Sequence, residues 1–277
     1  MIPYFTVPRI HLFGPVAIEP FGLLVFAGIL AGIWFAHRRA KQAGIPKDEI
    51  AGAVKWALAG GLLGAHIYYV LVIQPEQLKE RGPFALLEFW NGMSSFGGFM
   101  GALAGVASYF ALLKKRWLRH ADILVQALVA GWIFGRLGCT IAHDHIGRES
   151  TFFLAFSYPG GSCHNLGFYE LLFTLFVILP TILLIHRASA RPGIYVVVVS
   201  LLYAPFRFLL EFLRDGGSRQ FGLNLEQFSS IGLLCLGIWI YLQQEGKSKK
   251  RSRFNEKALS SLLFYFAFPW GEMFFRI

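Results

Sequence analysis

Two arginines stand inside runs that are otherwise apolar: Arg136 in GWIFGRLGCT and Arg207 in LLYAPFRFLLEFLRD. A charge is expensive in hydrocarbon, so intramembrane ionisable groups face a bundle interior, take an opposite charge and mark a polar pathway or site. Glu211 lies four residues after Arg207 and Tyr203 four before it, which puts all three on one helical stripe. The same spacing also suits a buried ion pair that only holds helices in register.

A second group is the connection AHDHIGRES, with His143, Asp144, His145 and Arg148 directly beyond the Arg136 run. Histidine beside a carboxylate can move protons near neutral pH. Arg136, Arg148 and Arg207 offer forked donors that match phosphate oxygens. Together these residues suit a phospholipid headgroup. Two other readings of the histidines stay open. They and Asp144 could ligate a metal, although the further histidine, His164, is distant and the spacing fits no familiar site. They could equally be solvated loop residues, sharing one face if the segment is a strand. Ser94 and Ser95 in GMSSFGG could supply the nucleophile of an intramembrane hydrolase. No base is placed beside them, and the glycines more simply signal a tight turn or backbone N–H groups open to an anion.

The elements that must position these groups are membrane helices. Of 277 residues, 55% are hydrophobic and 15% charged, against about a quarter charged in soluble domains. Stretches long enough to span a bilayer, which takes roughly 20 residues, fall near 17–36, 50–73, 94–113, 121–139, 167–186, 193–213 and 227–243. The expected class is an all-α polytopic bundle of about seven helices. The first stretch follows Pro15 and Pro20 rather than a basic segment and is not followed by a small-residue cleavage site, so it reads as retained. Cys139, Cys163 and Cys235 lack CxxC spacing and favour neither a disulfide framework nor a thiolate metal cluster.

The net charge of +10 is explained by topology rather than by nucleic acid. Connections after odd-numbered spans hold sixteen Lys and Arg, among them Arg38, Arg39, Lys41 and Lys47; the other face holds six. The positive-inside rule then puts the amino terminus outside and the carboxyl terminus in the cytoplasm. Gly60 with Gly64, Gly97 with Gly101 and Gly105, and Gly131 with Gly135 have the four-residue spacing that lets helix backbones approach. No internal repeat points to a symmetric transporter. Residues 258–277, aromatic-rich but broken by Pro269, Gly271 and Glu272, read as an interfacial tail after a catalytic membrane domain over 1–257.

The strings GMSSFGGFMG, GRLGCTIAHDHIGR, HNLGFYE and RPGIYVVVVSLLYAPFRFLLEFLRD resemble, in order, those of the prolipoprotein diacylglyceryl transferases, over residues 17–243. GRLG with GR nine residues on resembles the family's signature loop, and YxxxRFxxEFxR its penultimate helix. By position Arg136, Gly147, Arg148, Tyr203, Arg207 and Glu211 match family motif residues. Tyr169 and Glu170 match a YE pair, and Asp144 stands where Glu is usual. Cys139 and Ala142 replace two asparagines, Phe96 replaces the histidine of SFHGG, and His66 stands where arginine is usual.

The resemblance implies transfer of a diacylglyceryl group from phosphatidylglycerol to the lipobox cysteine of a preprolipoprotein at the bacterial cytoplasmic membrane. It implies no metal or organic cofactor. Gly97, Gly98, Gly147, Arg148, Tyr169, Glu170 and Tyr203 would contact substrate. Arg136 and Arg207 would hold the phosphate, Glu211 would orient Arg207, and His143 or His145 with Asp144 would replace the missing histidine as thiol base. A non-catalytic phospholipid-binding or transport paralogue is the other reading, and Phe96 is its main support.

Overall fold

Apolar runs between turn residues set the helices. The computed structural model describes residues 1–13, 16–113, 117–186, 191–216 and 221–246. Seven helices are long and apolar enough to cross a membrane: Pro20–Gln42, Lys47–Ile73, Ser95–Leu113, Leu118–Ala142, Leu166–Ile185, Ile194–Leu213 and Leu225–Gln244. Large apolar side chains such as Leu30, Leu62, Phe176 and Trp239 are half exposed or more, the outward apolarity of helices that face lipid. The chain is a multi-pass membrane protein, with the seven spans the sequence leads one to expect. The tail 258–277 lies outside the described residues.

The chain divides into two compact units, Phe26–Trp132 and Met1–Val25 with Ile133–Ile277. The first contains most of α1 (Pro20–Gln42) and α5 (Leu118–Ala142), together with α2 (Lys47–Tyr68), α3 (Glu76–Arg81) and α4 (Ser95–Leu113). The seam between α2 and α4 is made of glycine. A Cβ at Gly101 would lie 2.1 Å from the Gly60 carbonyl oxygen, and one at Gly64 2.5 Å from that of Gly97. Only residues without side chains permit this approach.

The turn from α1 to α2 closes with Gly44 at φ +65°. Ile45 N–H donates to the Ala40 carbonyl at 3.0 Å and Gly44 N–H to that of Lys41 at 3.3 Å, the Schellman pattern that satisfies the last carbonyls of a helix. Ile45 then packs on a cluster of Ala36, Ala40, Ile50, Ile123 and Ala127. The buried His66 joins the α2–α4 connection to α2: its ring nitrogens lie 3.0 Å from the carbonyl oxygens of Gly92 and Ala85.

The second unit adds a small sheet to the helices. Strands β1 (Ile2–Pro3), β4 (Ile146–Glu149), β5 (Phe156–Tyr158) and β6 (Gly161–Asn165) form a sheet in the order β1-β5-β6-β4, with β1 parallel to β5 and the other pairs antiparallel. β2 (Ile10–Phe13) and β3 (Val16–Ile18) pair as a hairpin. After β6, α6 (Leu166–Phe173) runs through a π-helical turn, Thr174–Ile178, into α7 (Leu179–His186). α8 (Ile194–Leu210) ends in the 3-10 turn Glu211–Leu213, and α9 (Leu225–Gly246) packs against α8, where a Cβ on Gly237 would meet Ser200 Cβ at 2.7 Å.

Candidate active site

Asn165 fixes the junction from which the site is built. Fully buried, it caps α6 by accepting the Phe168 N–H at 3.0 Å on Oδ1. Its amide donates to the Thr140 carbonyl at the end of α5 at 3.2 Å and to the Tyr158 hydroxyl at 3.1 Å. A Cβ on Gly167 would lie 3.0 Å from Cys139 Cβ, so the start of α6 lies directly against the end of α5. That contact puts Glu170, one turn further along α6, in reach of Arg136.

Glu170 is fully buried and is the hub of the site. Its Oε2 lies 3.1 Å from Arg136 Nη1 and 3.7 Å from Arg207 Nη1, while the Tyr203 hydroxyl donates to Oε1. Arg207 Nη1 is also 2.9 Å from Glu211 Oε2, the pairing that the four-residue spacing predicts. Glu211 in turn holds Arg214 through Oε1 at 2.6 Å, and Arg214 reaches Glu226 of α9 at 3.7 Å. Two nearly buried guanidiniums thus converge on one carboxylate, and a guanidinium's forked donors are of the kind that match carboxylate and phosphate oxygens.

Gly147 brings β4 onto this cluster. It forms a bridge with Arg214, and a Cβ there would lie 2.5 Å from the Leu213 carbonyl oxygen. Arg148, the next residue, is solvent-exposed on β4.

The structure separates the two histidines of the connection, and neither lies in a strand. His143, at φ 52°, donates from Nε2 to the Phe5 carbonyl at 2.8 Å. Its Nδ1 is left to accept from the Tyr158 hydroxyl at 3.2 Å and the Asn165 amide at 3.4 Å. The rings of Tyr4, Phe5, Phe156 and Tyr158 surround it. Both nitrogens are therefore engaged. His145 instead sets Nδ1 2.5 Å from Asp144 Oδ1. Burial acts to raise the Asp144 carboxyl, but the hydrogen bond and charge of His145, the hydrogen bond from Cys139 and the charge of Arg136 outweigh it and hold the group below its ordinary range.

Cys139, Asp144 and His145 offer a thiol, a carboxylate oxygen and an imidazole nitrogen within 4.8 Å of one another, a donor set a divalent ion could use. Arg136 Nη1, 3.8 Å from Cys139 Sγ, opposes a cation there. His164, considered above as a distant ligand, is buried with Nδ1 2.8 Å from the Tyr169 hydroxyl, and burial lowers its pKa. Tyr169 meets His164, and Glu170 of the YE pair meets the arginines.

Gly97 and Gly98 belong to the other compact unit and are packing positions. A Cβ on Gly97 would lie 2.4 Å from the Gly64 carbonyl oxygen, and one on Gly98 3.4 Å from Ala65 Cβ. Ser94 Oγ accepts the Gly97 N–H at 3.3 Å, which makes it a helix cap rather than a nucleophile beside a base. Sequence reasoning missed Asn165 and Arg214. The first had the signal of an asparagine before an apolar run, and the second stands three residues after Glu211.

The family model described as prolipoprotein diacylglyceryl transferase matches residues 8–243. A phosphatidylglycerol–prolipoprotein diacylglyceryl transferase of Nitratidesulfovibrio vulgaris is 28% identical over 247 residues, covering 85% of this chain and 93% of that protein. One of Pseudoalteromonas translucida is 30% identical over 259 residues, covering 87% and 95%. With the motif residues gathered about one buried carboxylate and a match over most of the chain's length, the protein belongs to the prolipoprotein diacylglyceryl transferase family.

Proposed function

We propose that the protein transfers the diacylglyceryl group of phosphatidylglycerol to the cysteine thiol of a prolipoprotein lipobox. One observation carries this reading: Arg136 and Arg207 share the Glu170 carboxylate, 3.1 and 3.7 Å from one oxygen. That geometry suits a phosphodiester laid across both guanidiniums.

In the step itself the thiolate sulfur attacks the glycerol carbon that bears the phosphate. A C–S bond forms, the C–O bond to phosphate breaks, and the electron pair leaves on glycerol phosphate. Arg136 and Arg207 stabilise the charge that grows on the departing phosphate. Glu170 and Glu211 keep the guanidiniums in place, and Tyr203 orients Glu170. The thiol proton goes to His145, because His143 has both nitrogens occupied. Asp144 stabilises the imidazolium that results. Arg148, exposed on β4, supplies a further charge for the headgroup.

The charge bias of the connections favours an amino terminus outside and a carboxyl terminus in the cytoplasm of a bacterial inner membrane, which puts the sheet on the outer face. The test is transfer of labelled diacylglyceryl from phosphatidylglycerol to a lipobox peptide, with Arg136→Ala and His145→Gln alongside. Loss of transfer in both variants supports the roles given. Full activity in His145→Gln removes it as the base, and no transfer by folded wild type overturns the reading.

A further inference from the structure

The unit Phe26–Trp132 contains a cavity of about 630 Å³ that the transfer reaction does not use. Its lining includes Ala40 and Ile45, joined by the Schellman closure of the α1–α2 turn, so the cavity belongs to the folded turn. Arg38, Lys41 and Lys47 line it, and no carboxylate does. Among the described residues none of the three has an ion pair, while the nearby Glu49 is taken by His120 at 2.8 Å. His37, also in the lining, has a buried Nδ1 with no hydrogen-bond partner among the described residues. α2 begins on Pro46 without a side-chain cap, and the acidic residues of its first turn, Asp48 and Glu49, are not among the lining residues.

A topological role accounts for the basic residues alone, but not for an open cleft of ligand size, which the volume range of small-molecule sites includes. It does not account for the flank either. Phe26, Leu30 and Trp34 follow at four-residue spacing on the face that ends at Arg38, and each is more than half exposed. The Arg38 guanidinium lies over the Trp34 ring at 5.3 Å. An apolar track therefore leads along the helix to a cluster of cations at its end.

We propose that this cavity binds the phosphate headgroup of an anionic phospholipid, with Arg38, Lys41 and Lys47 around the phosphate and an acyl chain along Trp34, Leu30 and Phe26. The site is separate from the residues given to catalysis. Free inorganic phosphate shares the headgroup chemistry but would make no use of the apolar track.

The test is native mass spectrometry of the purified full chain in nonionic detergent, titrated with dioleoylphosphatidic acid, dioleoylphosphatidylcholine or sodium phosphate. The variant is R38Q/K41Q/K47Q, with Lys41→Glu as a second in case the triple variant is poorly folded. Wild type is expected to retain phosphatidic acid over phosphatidylcholine. Each charge removed should weaken the affinity about fivefold, on the order of 100-fold for all three. Transfer to a lipobox peptide should persist, showing that the catalytic residues are intact. Equal titrations of wild type and both variants, or equal retention of the two lipids, would overturn the proposal. Displacement of phosphatidic acid by sodium phosphate at matching concentrations would overturn its lipid part.

Discussion

Replacing Glu170 with glutamine isolates the electrostatic core of the site. The side chain keeps its shape and can still accept from Tyr203 on one atom, but an NH₂ group now faces Arg136, or the carbonyl does and Tyr203 loses its partner. Glu170 is fully buried and Arg136 and Arg207 nearly so, and of the two carboxylates at Arg207 the change leaves Glu211. Removing one partner from a buried ion pair costs about 3–5 kcal/mol. For a chain of this size that is a fall on the order of 10 °C in Tm. The reading of the site adds a sharper expectation. A phosphodiester bound across the arginines replaces some of the lost negative charge, so saturating phosphatidylglycerol should restore part of the stability of Glu170→Gln and raise wild type less. The assay is thermal unfolding in detergent with and without phosphatidylglycerol, beside the rate of transfer. If the variant keeps wild-type Tm and turnover, Glu170 does not hold the arginines. If phosphatidylglycerol raises both proteins equally, the lipid phosphate does not sit between the guanidiniums.

Other expectations follow from single contacts. Gly101→Ala sets a Cβ 2.1 Å from the Gly60 carbonyl oxygen and should lower stability by about 1–3 kcal/mol as α2 and α4 are forced apart, read by thermal unfolding. His66→Ala removes the ring that ties α2 to the Ala85 and Gly92 carbonyls, one of which takes its N–H, at about 1–3 kcal/mol for the hydrogen bond lost; a susceptible α2–α4 connection in limited proteolysis would show it. His164 has its pKa lowered by burial, so below about pH 6.5 the unfolded chain binds a proton that the folded chain refuses, and stability should fall as pH drops. His164→Phe should flatten that limb of the stability–pH curve. Gly147→Ala should separate β4 from Arg214 and reduce transfer, since its Cβ meets the Leu213 carbonyl oxygen at 2.5 Å.

What could be read from the sequence divides by range. The spans were legible because bilayer thickness writes itself as run length, and the Arg207–Glu211 pair because helical spacing is local. The partner of Arg136 was not legible by spacing. Glu170 sits on another helix and reaches Arg136 by way of the Asn165 junction, so the resemblance marked it only as half of a YE pair that would contact substrate, not as the partner of Arg136. Gly97 and Gly98 looked ready to receive an anion, yet the packing of α2 on α4 uses that surface. The sheet escaped notice because its strands are two to five residues long and β4 carries no apolar alternation. His143 and His145 look alike in sequence, and the aromatic surroundings and filled nitrogens of the first tell them apart.

The parallel pairing of β1 with β5 also bears on how the molecule is made. Ile2 pairs with Phe156, and Phe5 receives the hydrogen bond of His143, so residues 2–5 take their places only after α5 and the sheet beyond it exist. At synthesis rates of about 5–20 residues per second, this segment waits roughly 10–30 s for partners so far along the chain. The hydrogen-bonded edge that completes the sheet is thus laid down late. A pairing so distant in sequence closes slowly, and the second unit matures after the glycine seam of the first, which needs only neighbouring spans.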